Sequence, residues 1–393
     1  MFSTLRSVLR FRAPTLSRLA TAASVADLRQ IAKRRLPRAV FDYIDGGAED
    51  EVSMRRNTAV FARLEFRPRV LRDVSDIDTS TTLLGRSLPL PVVLAPTGFT
   101  RIATPGGELD VARAAAGAGL PYTLSTLATR SIEEVAAVSS GPKWFQVYVW
   151  RDRGLVAEML ARAAAAGYEA IVLTADLAVP GRRERDVRHG FTLPPKIGLG
   201  TLLDGTRHPG WTWQFVRAGP VTFANIGEGE AVRLADFITT QFDPSLSWRD
   251  LDWFRERWAG PIVLKGVQTV EDAKLAADAG VAAIALSNHG GRQLDGAPPP
   301  AELIAPVADA IGGQAEIICD GGIRRGSDIV KALALGARAC MIGRAYLYGL
   351  AAAGQAGVGA VLGMLTADVR RVMALSGVRS IAEISPDLVR WRP

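Results

Sequence analysis

A chain of 393 residues, 48% hydrophobic and 22% charged, carries enough apolar material for a large core, which excludes a mostly disordered protein. Its formal net charge of +7 belongs to one end, because residues 1 to 38 hold nine lysines and arginines against the single acid Asp27. A basic arm on a nearly neutral body excludes a nucleic-acid groove across the fold.

Residues 1–22 form the arm. Arginines interrupt them and no apolar h-region is present, which argues against a secretory signal. Their acid-free, Arg-, Ser- and Thr-rich composition is shared with mitochondrial presequences, the alternative to a loosely docked arm of a bacterial protein. Residues 23–393 read as one domain. Ser24-Val-Ala-Asp27 opens an amphipathic helix with a cap at Ser24, and Tyr43 stands just before the Gly46-Gly47 break.

From residue 89 onward, short apolar runs alternate with Ala-rich helical ones. Strands are predicted at Pro91–Ala95, Tyr122–Ser125, Phe145–Val149, Ala170–Thr174, Ile262–Lys265, Ala282–Ser287, Glu316–Asp320 and Ala339–Gly343. Eight strands alternating with helices imply an α/β fold, a (β/α)8 TIM barrel with an N-terminal helical extension. An open doubly wound sheet is disfavoured, since no Gly-x-Gly-x-x-Gly turn follows the first strand. Residues 177–260 exceed one crossover helix, so a long insertion after the fourth strand is expected over the barrel mouth. It contains Leu193-Pro-Pro-Lys196 and the aromatic run Trp211 to Val216 between Arg207 and Arg217, suited to a lid or to a membrane interface. The tail from Ala374 reads as a short helical closure. Cys319 and Cys340 sit in apolar runs and read as buried hydrophobes, not a disulfide. Metal-ligand spacing is absent, and so is any uninterrupted apolar run of about 18 residues.

Barrel enzymes draw their chemistry from the ends of several strands, so the polar residues there are read together. Gln146 and Tyr148 share a face of the third strand, and Thr174 and Asp176 a face of the fourth. Lys265 closes an apolar strand, a costly placement unless it meets an acceptor. Strand six delivers Ser287-Asn288-His289-Gly290-Gly291-Arg292-Gln293, a base and a cation on a permissive backbone. Asp320-Gly321-Gly322-Ile323-Arg324 and Gly343-Arg344 place glycines beside arginines after strands seven and eight, the usual phosphate site of this fold. A phosphate clamp, a buried lysine and inward Gln and Thr side chains suit a phosphorylated heterocycle. FMN fits best, because its pyrimidine edge needs amide and hydroxyl partners and its reduced form carries charge that a lysine stabilises.

The heptapeptide Ser287–Gln293 resembles the active-site signature of the FMN-dependent α-hydroxy-acid dehydrogenases and oxidases, which include glycolate oxidase, L-lactate dehydrogenase and mandelate dehydrogenase. The resemblance runs from about Ala23 to the end of the chain. It implies flavin-ring contacts from Pro96, Thr97, Gly98, Ser125, Gln146, Thr174, Lys265 and Ser287. It implies ribityl and phosphate contacts from Asp320, Gly321, Gly322, Ile323 and Arg324 with Gly343 and Arg344. Tyr43, in Phe41-Asp-Tyr43, matches a tyrosine that meets the substrate carboxylate, and Arg183, in Gly181-Arg-Arg-Glu184, matches a substrate arginine. His289 is then the general base, Asp176 its hydrogen-bonding partner, and Arg292 and Tyr148 hold the 2-hydroxy acid. A homo-oligomer, a tetramer, is also implied.

Two departures narrow the substrate. Leu127 stands where glycolate oxidases carry a tryptophan above the pocket, leaving room for the methyl group of lactate. Gly98 stands where the oxidases tend to have alanine, as in bacterial lactate and mandelate dehydrogenases. The expectation is oxidation of L-lactate to pyruvate with electrons passed to a quinone or other carrier. The expected location is the cytoplasm, with peripheral contact on the inner face of the membrane. Competing expectations are an oxygen-using oxidase that makes hydrogen peroxide, and a catalytically silent membrane-docked barrel. The complete set of His289, Arg292, Tyr148, Asp176 and Lys265 argues against silence.

Overall fold

The computed structural model describes residues 19–189, 204–226 and 241–392. Leu193-Pro-Pro-Lys196 and most of the basic arm lie outside the described residues. The chain enters through helices Val25–Arg35, Arg38–Asp45 and Val52–Ala59. Ser24 caps the first by accepting from the Asp27 N–H, while Leu28 and Ala32 turn to the core. A short strand β1 (Leu64–Phe66) follows, then a hairpin of β2 (Thr81–Leu83) and β3 (Arg86–Leu88). Leu84 and Gly85 make its turn with φ of 49° and 77°. Its Leu83 and Leu88 pack with Trp144 and Ala170 inside one end of the barrel.

The barrel strands are β4 (Val92–Leu94), β5 (Tyr122–Ser125), β6 (Lys143–Tyr148), β7 (Ala170–Thr174), β8 (Ile262–Val267), β9 (Ala283–Ser287), β10 (Glu316–Asp320) and β11 (Ala339–Ile342). Parallel pairing runs around the ring and closes between β11 and β4. All eight lie within two residues of expectation, because parallel strands buried on both faces read as continuous apolar runs. Alternation splits their side chains between two cores. Leu94, Leu124, Phe145, Ile171, Leu264 and Leu286 face the surrounding helices. Val93, Val172, Val263, Ala285, Ile318 and Met341 fill the barrel itself. Each fully buried Val, Ile or Met contributes about 1.5–3 kcal/mol, so this interior is a packed plug with no channel.

Between β7 and β8 the described segments fold back over the mouth. Arg101 donates to the Ala218 carbonyl at 2.7 Å, and the Ala224 N–H to the Ala128 carbonyl at 3.1 Å. Phe223 thereby meets Phe99, ring centres 4.8 Å apart. A bridge between Trp150 and Phe242 sets the Phe242 ring edge-on to Tyr148 at 5.6 Å. Helix Pro209–Arg217 is pinned where the Trp211 indole N–H donates to the Ile102 carbonyl at 2.8 Å. Trp213 and Val216 on the same helix remain 63% and 70% exposed.

Helix Arg344–Ser376 is long and apolar enough by composition to cross a membrane. Non-helical backbone at Ala353 and Gly354 divides it, and its two parts pack so closely at Gly349 and Gly357 that neither position has room for a Cβ. The tail keeps short helical structure over residues 374–384, where the long helix ends and a 3-10 helix spans Ile381–Glu383, and adds a strand beyond it. Gly377 ends the helix in a left-handed conformation, and Val389–Trp391 forms β12, antiparallel to β1. Three residues pairing with a strand some three hundred positions earlier leave no local period to read. Cys319 and Cys340 are free, fully buried and directly opposite each other in β10 and β11.

Candidate active site

The inward-facing side chains turn polar in the last layer of the barrel. Ser125 Oγ donates to Gln146 Oε1 at 3.1 Å, and Gln146 Nε2 donates to Thr174 Oγ1 at 3.0 Å. Across the ring, Lys265 Nζ donates to Ser287 Oγ at 3.2 Å and pairs with Asp320 Oδ2 at 2.9 Å. The Ser287 hydroxyl in turn donates to Asp320 Oδ2 at 2.8 Å. Burial works against the Lys265 charge, but Asp320 and Asp176 outweigh it and raise its pKa above the usual lysine value. A cation is thus held at the top of an apolar plug.

The loop after β9 carries His289. His289, Gly290 and Gly291 run consecutively through left-handed backbone, with φ of 57°, 67° and 72°. A Cβ on Gly291 would lie 2.4 Å from the Met54 N, so the tight turn requires glycine there. His289 N–H donates to Ser287 Oγ at 3.0 Å, and its Nδ1 meets Asp176 Oδ1 at 3.0 Å. Burial pushes the Asp176 carboxyl up, yet His289 and Lys265 hold it below its usual value. A charged carboxylate therefore stands behind the imidazole. Asn288 stabilises the turn from behind: its amide and that of Asn57 donate to each other at 2.7 and 2.8 Å, and its Oδ1 also accepts from the Gly291 N–H at 2.9 Å.

Helix Arg38–Asp45 ends beside this loop and turns its last carbonyls on two arginines. Arg292 donates to the carbonyls of Tyr43 at 2.8 Å and Gly46 at 3.0 Å, and Arg344 to those of Gly46 at 2.7 Å, Ile44 at 3.2 Å and Gly290 at 2.7 Å. Carbonyls left over at a helix C-terminus favour cations. Among the described residues no carboxylate pairs with either guanidinium. Burial, and next the neighbouring Arg183, pull Arg292 down to about 10; burial likewise lowers Arg344. Half-buried cations that no carboxylate pairs directly fit a cavity that takes anions. Arg183 pairs with Asp186 at 3.0 Å, and both it and Arg292 lie over the Tyr43 ring, 5.6 and 5.2 Å from its centre.

These groups surround a cavity of about 540 Å³. Tyr43, Tyr148, Arg183, His289 and Arg292 line one part of it, with Pro96, Thr97, Gly98 and Lys265. Asp320, Gly321, Gly322, Ile323, Arg324, Gly343 and Arg344 line another. Ser125, Gln146, Thr174, Ser287 and Asp176 do not reach the wall and stand behind it as hydrogen-bonding support. Leu127 does reach it, pressed against Gly98, where an added Cβ would sit 3.1 Å from its own. The sequence assigns no role to Gly46, whose carbonyl holds both arginines, to Asn57 and Gln293, whose side-chain amides brace the loops, or to Phe223 and Phe242, walls supplied by the insertion.

The lining fits a flavin mononucleotide. Gly321 and Gly322, at φ of 153° and 79°, expose backbone beside Arg324, and a Cβ on Gly322 would overlap the Asn57 carbonyl at 1.7 Å. Gly343 begins helix Arg344–Ser376 without a side-chain cap, which leaves its first N–H groups for an anion. The cationic Lys265 and the amide and hydroxyl chain behind it match a heterocycle that gains negative charge.

The comparisons agree with that lining. The family model described as FMN-dependent dehydrogenase matches residues 32–391. The chain is 46% identical over 376 residues to the L-lactate dehydrogenase of Caulobacter vibrioides, strain NA1000 / CB15N, covering 94% of this chain and 98% of that one. Among solved structures, the monotopic membrane protein (S)-mandelate dehydrogenase superposes with a TM-score of 0.92 at 41% identity, covering 94% of this chain and 99% of the other. A mandelate oxidase does so at 0.82 and 41%, covering 94% and 98%. The chain belongs to the FMN-dependent dehydrogenase family and is an FMN-dependent enzyme of its α-hydroxy-acid dehydrogenase branch.

Proposed function

We propose that this enzyme oxidises L-lactate to pyruvate and passes the electrons to a quinone or another carrier. The observation that carries the reading is the His289–Asp176 pair at 3.0 Å, beside the cation Arg292 that lines the same cavity. Asp176 occupies Nδ1, so Nε2 is the nitrogen that takes the substrate proton, and the carboxylate stabilises the imidazolium formed. Arg292 and Arg183 grip the substrate carboxylate, with O–H donation from Tyr43 and Tyr148. Arg292 is already immobilised by two carbonyls, which reduces the ordering cost of binding.

FMN supplies the two-electron acceptor. Pro96, Thr97, Gly98 and Lys265 are assigned to its ring, with Ser125, Gln146, Thr174 and Ser287 in support. Asp320 to Arg324, Gly343 and Arg344 are assigned to its ribityl chain and phosphate. Lys265, kept charged by Asp320 and Asp176, stabilises the negative charge that arrives with the electrons.

Lactate is favoured by the names of the relatives and by Leu127 at the wall. Gly98 favours a carrier over oxygen; the oxidase reading rests on the mandelate oxidase neighbour. Substrate-reduced enzyme should be reoxidised faster by a soluble quinone than by air-saturated buffer at comparable concentration, and faster oxygen use would make it an oxidase.

We assign residues 23–393 to one catalytic domain with 177–260 as its insertion, and propose a homotetramer on the cytoplasmic face of the membrane. Exposed Trp213 and Val216, with Val179, Val187 and Leu294 at 68% each, support docking there, as does the monotopic neighbour. Sedimentation with anionic vesicles should weaken as salt rises. Binding indifferent to lipid charge and salt would contradict the docking, and a light-scattering mass of one chain would contradict the tetramer.

A further inference from the structure

We infer that Gln293 is a positioning residue for the proposed reaction, a staple that holds the loop after β7 in the register that brings Asp176 to His289 and Arg183 to the cavity. The inference rests on the functional reading above. Gln293 Nε2 donates to the carbonyls of Asp176 at 2.9 Å and Val179 at 3.1 Å, and its Oε1 accepts from the Gly181 N–H at 3.0 Å. One orientation of the amide satisfies all three, since two partners need donors and the third an acceptor.

The loop has little else to hold it. Between Ala175 and Arg183 apolar packing is confined to Leu177, which rests partly buried against the core, while Val179 is 68% exposed. Outside the Gln293 amide, its backbone is tied at its two ends, by the Ala175 N–H to the Lys265 carbonyl at 2.8 Å at one, and at the other by the Glu49 N–H to the Arg182 carbonyl at 2.9 Å and the Val187 N–H to the Arg183 carbonyl at 3.3 Å. The middle depends on Gln293. A second feature points the same way: a Cβ on Gly181 would lie 2.4 Å from the Arg292 carbonyl and 2.7 Å from the Gln293 Cα, so the two loops are in direct backbone contact. Asp176 begins the stapled stretch and Arg183 follows it by two residues. One amide therefore sets both the carboxylate behind the base and a cation proposed for the substrate.

No other side chain reproduces the three bonds. Asparagine is a methylene short, glutamate turns an acceptor toward two carbonyl oxygens, and methionine keeps the volume without the polar atoms. Because misplacing reacting groups by about 1 Å costs on the order of 100-fold, the flavin-loaded Gln293→Met enzyme should be reduced by L-lactate about 10- to 100-fold more slowly per bound flavin. The dissociation constant for L-lactate should rise as well, through Arg183.

Stopped-flow reduction of the holoenzyme without oxygen measures both quantities. The same substitution in a His289→Gln background separates positioning from general damage. If Gln293 acts through the Asp176–His289 pair, it slows the already impaired enzyme less than threefold, whereas additive effects overturn the inference. A Gln293→Met rate within twofold of wild type, at unchanged L-lactate affinity, also overturns it. If that variant does not retain flavin, Gln293→Glu puts the same question and is expected to be at least as slow. Wild-type enzyme that no 2-hydroxy acid reduces would remove the functional reading itself; wild-type reduction with normal Gln293 variants removes only this inference.

Discussion

His289→Gln enzyme should keep its FMN and lose at least about 100-fold in the rate of flavin reduction by L-lactate. Glutamine retains an amide able to face Asp176 but has no nitrogen that accepts a proton at neutral pH. The left-handed backbone at His289, φ 57°, suits histidine somewhat better than glutamine, a modest added strain that the hydrogen bonds of Asn288 to the turn should absorb. Asp176 is buried and its partner is removed, which should raise its pKa and lower thermal stability modestly without releasing cofactor. Stopped-flow reduction together with the flavin-to-protein ratio checks both halves of the expectation. A near-normal reduction rate would take His289 out of the mechanism.

Gly322→Ala should be among the most damaging single methyls at the described glycines. The added Cβ would overlap the Asn57 carbonyl, and φ of 79° is left-handed. Overpacking and backbone strain together cost roughly 3 kcal/mol or more. The damage travels, because Asn57 and Asn288 hold each other by paired amide bonds and Asn288 holds the Gly291 N–H. Displacing Asn57 should therefore loosen the His289 loop and the proposed phosphate loop at once. The expected result is a lowered unfolding midpoint and poor FMN retention. Gly359→Ala and Gly363→Ala are the controls: both lie in helix Arg344–Ser376 with open space around the added methyl, and should gain about 0.4–1 kcal/mol. Thermal unfolding of the three holoproteins tests the contrast, and an unchanged midpoint for Gly322→Ala would contradict it.

The barrel was legible because its eight strands are short apolar runs at regular spacing, each ended by a polar or small residue. Alternation along those runs puts Gln146 and Tyr148, and Thr174, on the inward face. What could not be read has a common physical cause. The carbonyl of Gly46 holds both Arg292 and Arg344, yet a backbone carbonyl leaves no mark in a sequence. Asn57 lies on a helix before the barrel, and only folding brings it to Asn288. Phe223 and Phe242 reach the cavity through bridges from the insertion, whose contacts are tertiary and carry no period. The strand β12 is too short to show alternation. Gln293 stood in plain view as the last residue of the Ser287–Gln293 heptapeptide, but its role depends on the facing loop, which the heptapeptide does not contain.

The most direct test of the account is the absorption spectrum of the purified holoenzyme before and after L-lactate is added in the absence of oxygen. An oxidised flavin spectrum should bleach within seconds, pyruvate should form in proportion to bound flavin, and FMN should be the only flavin released on denaturation. A spectrum unchanged by L-lactate and by every other 2-hydroxy acid tried, in protein that carries FMN, would contradict the account.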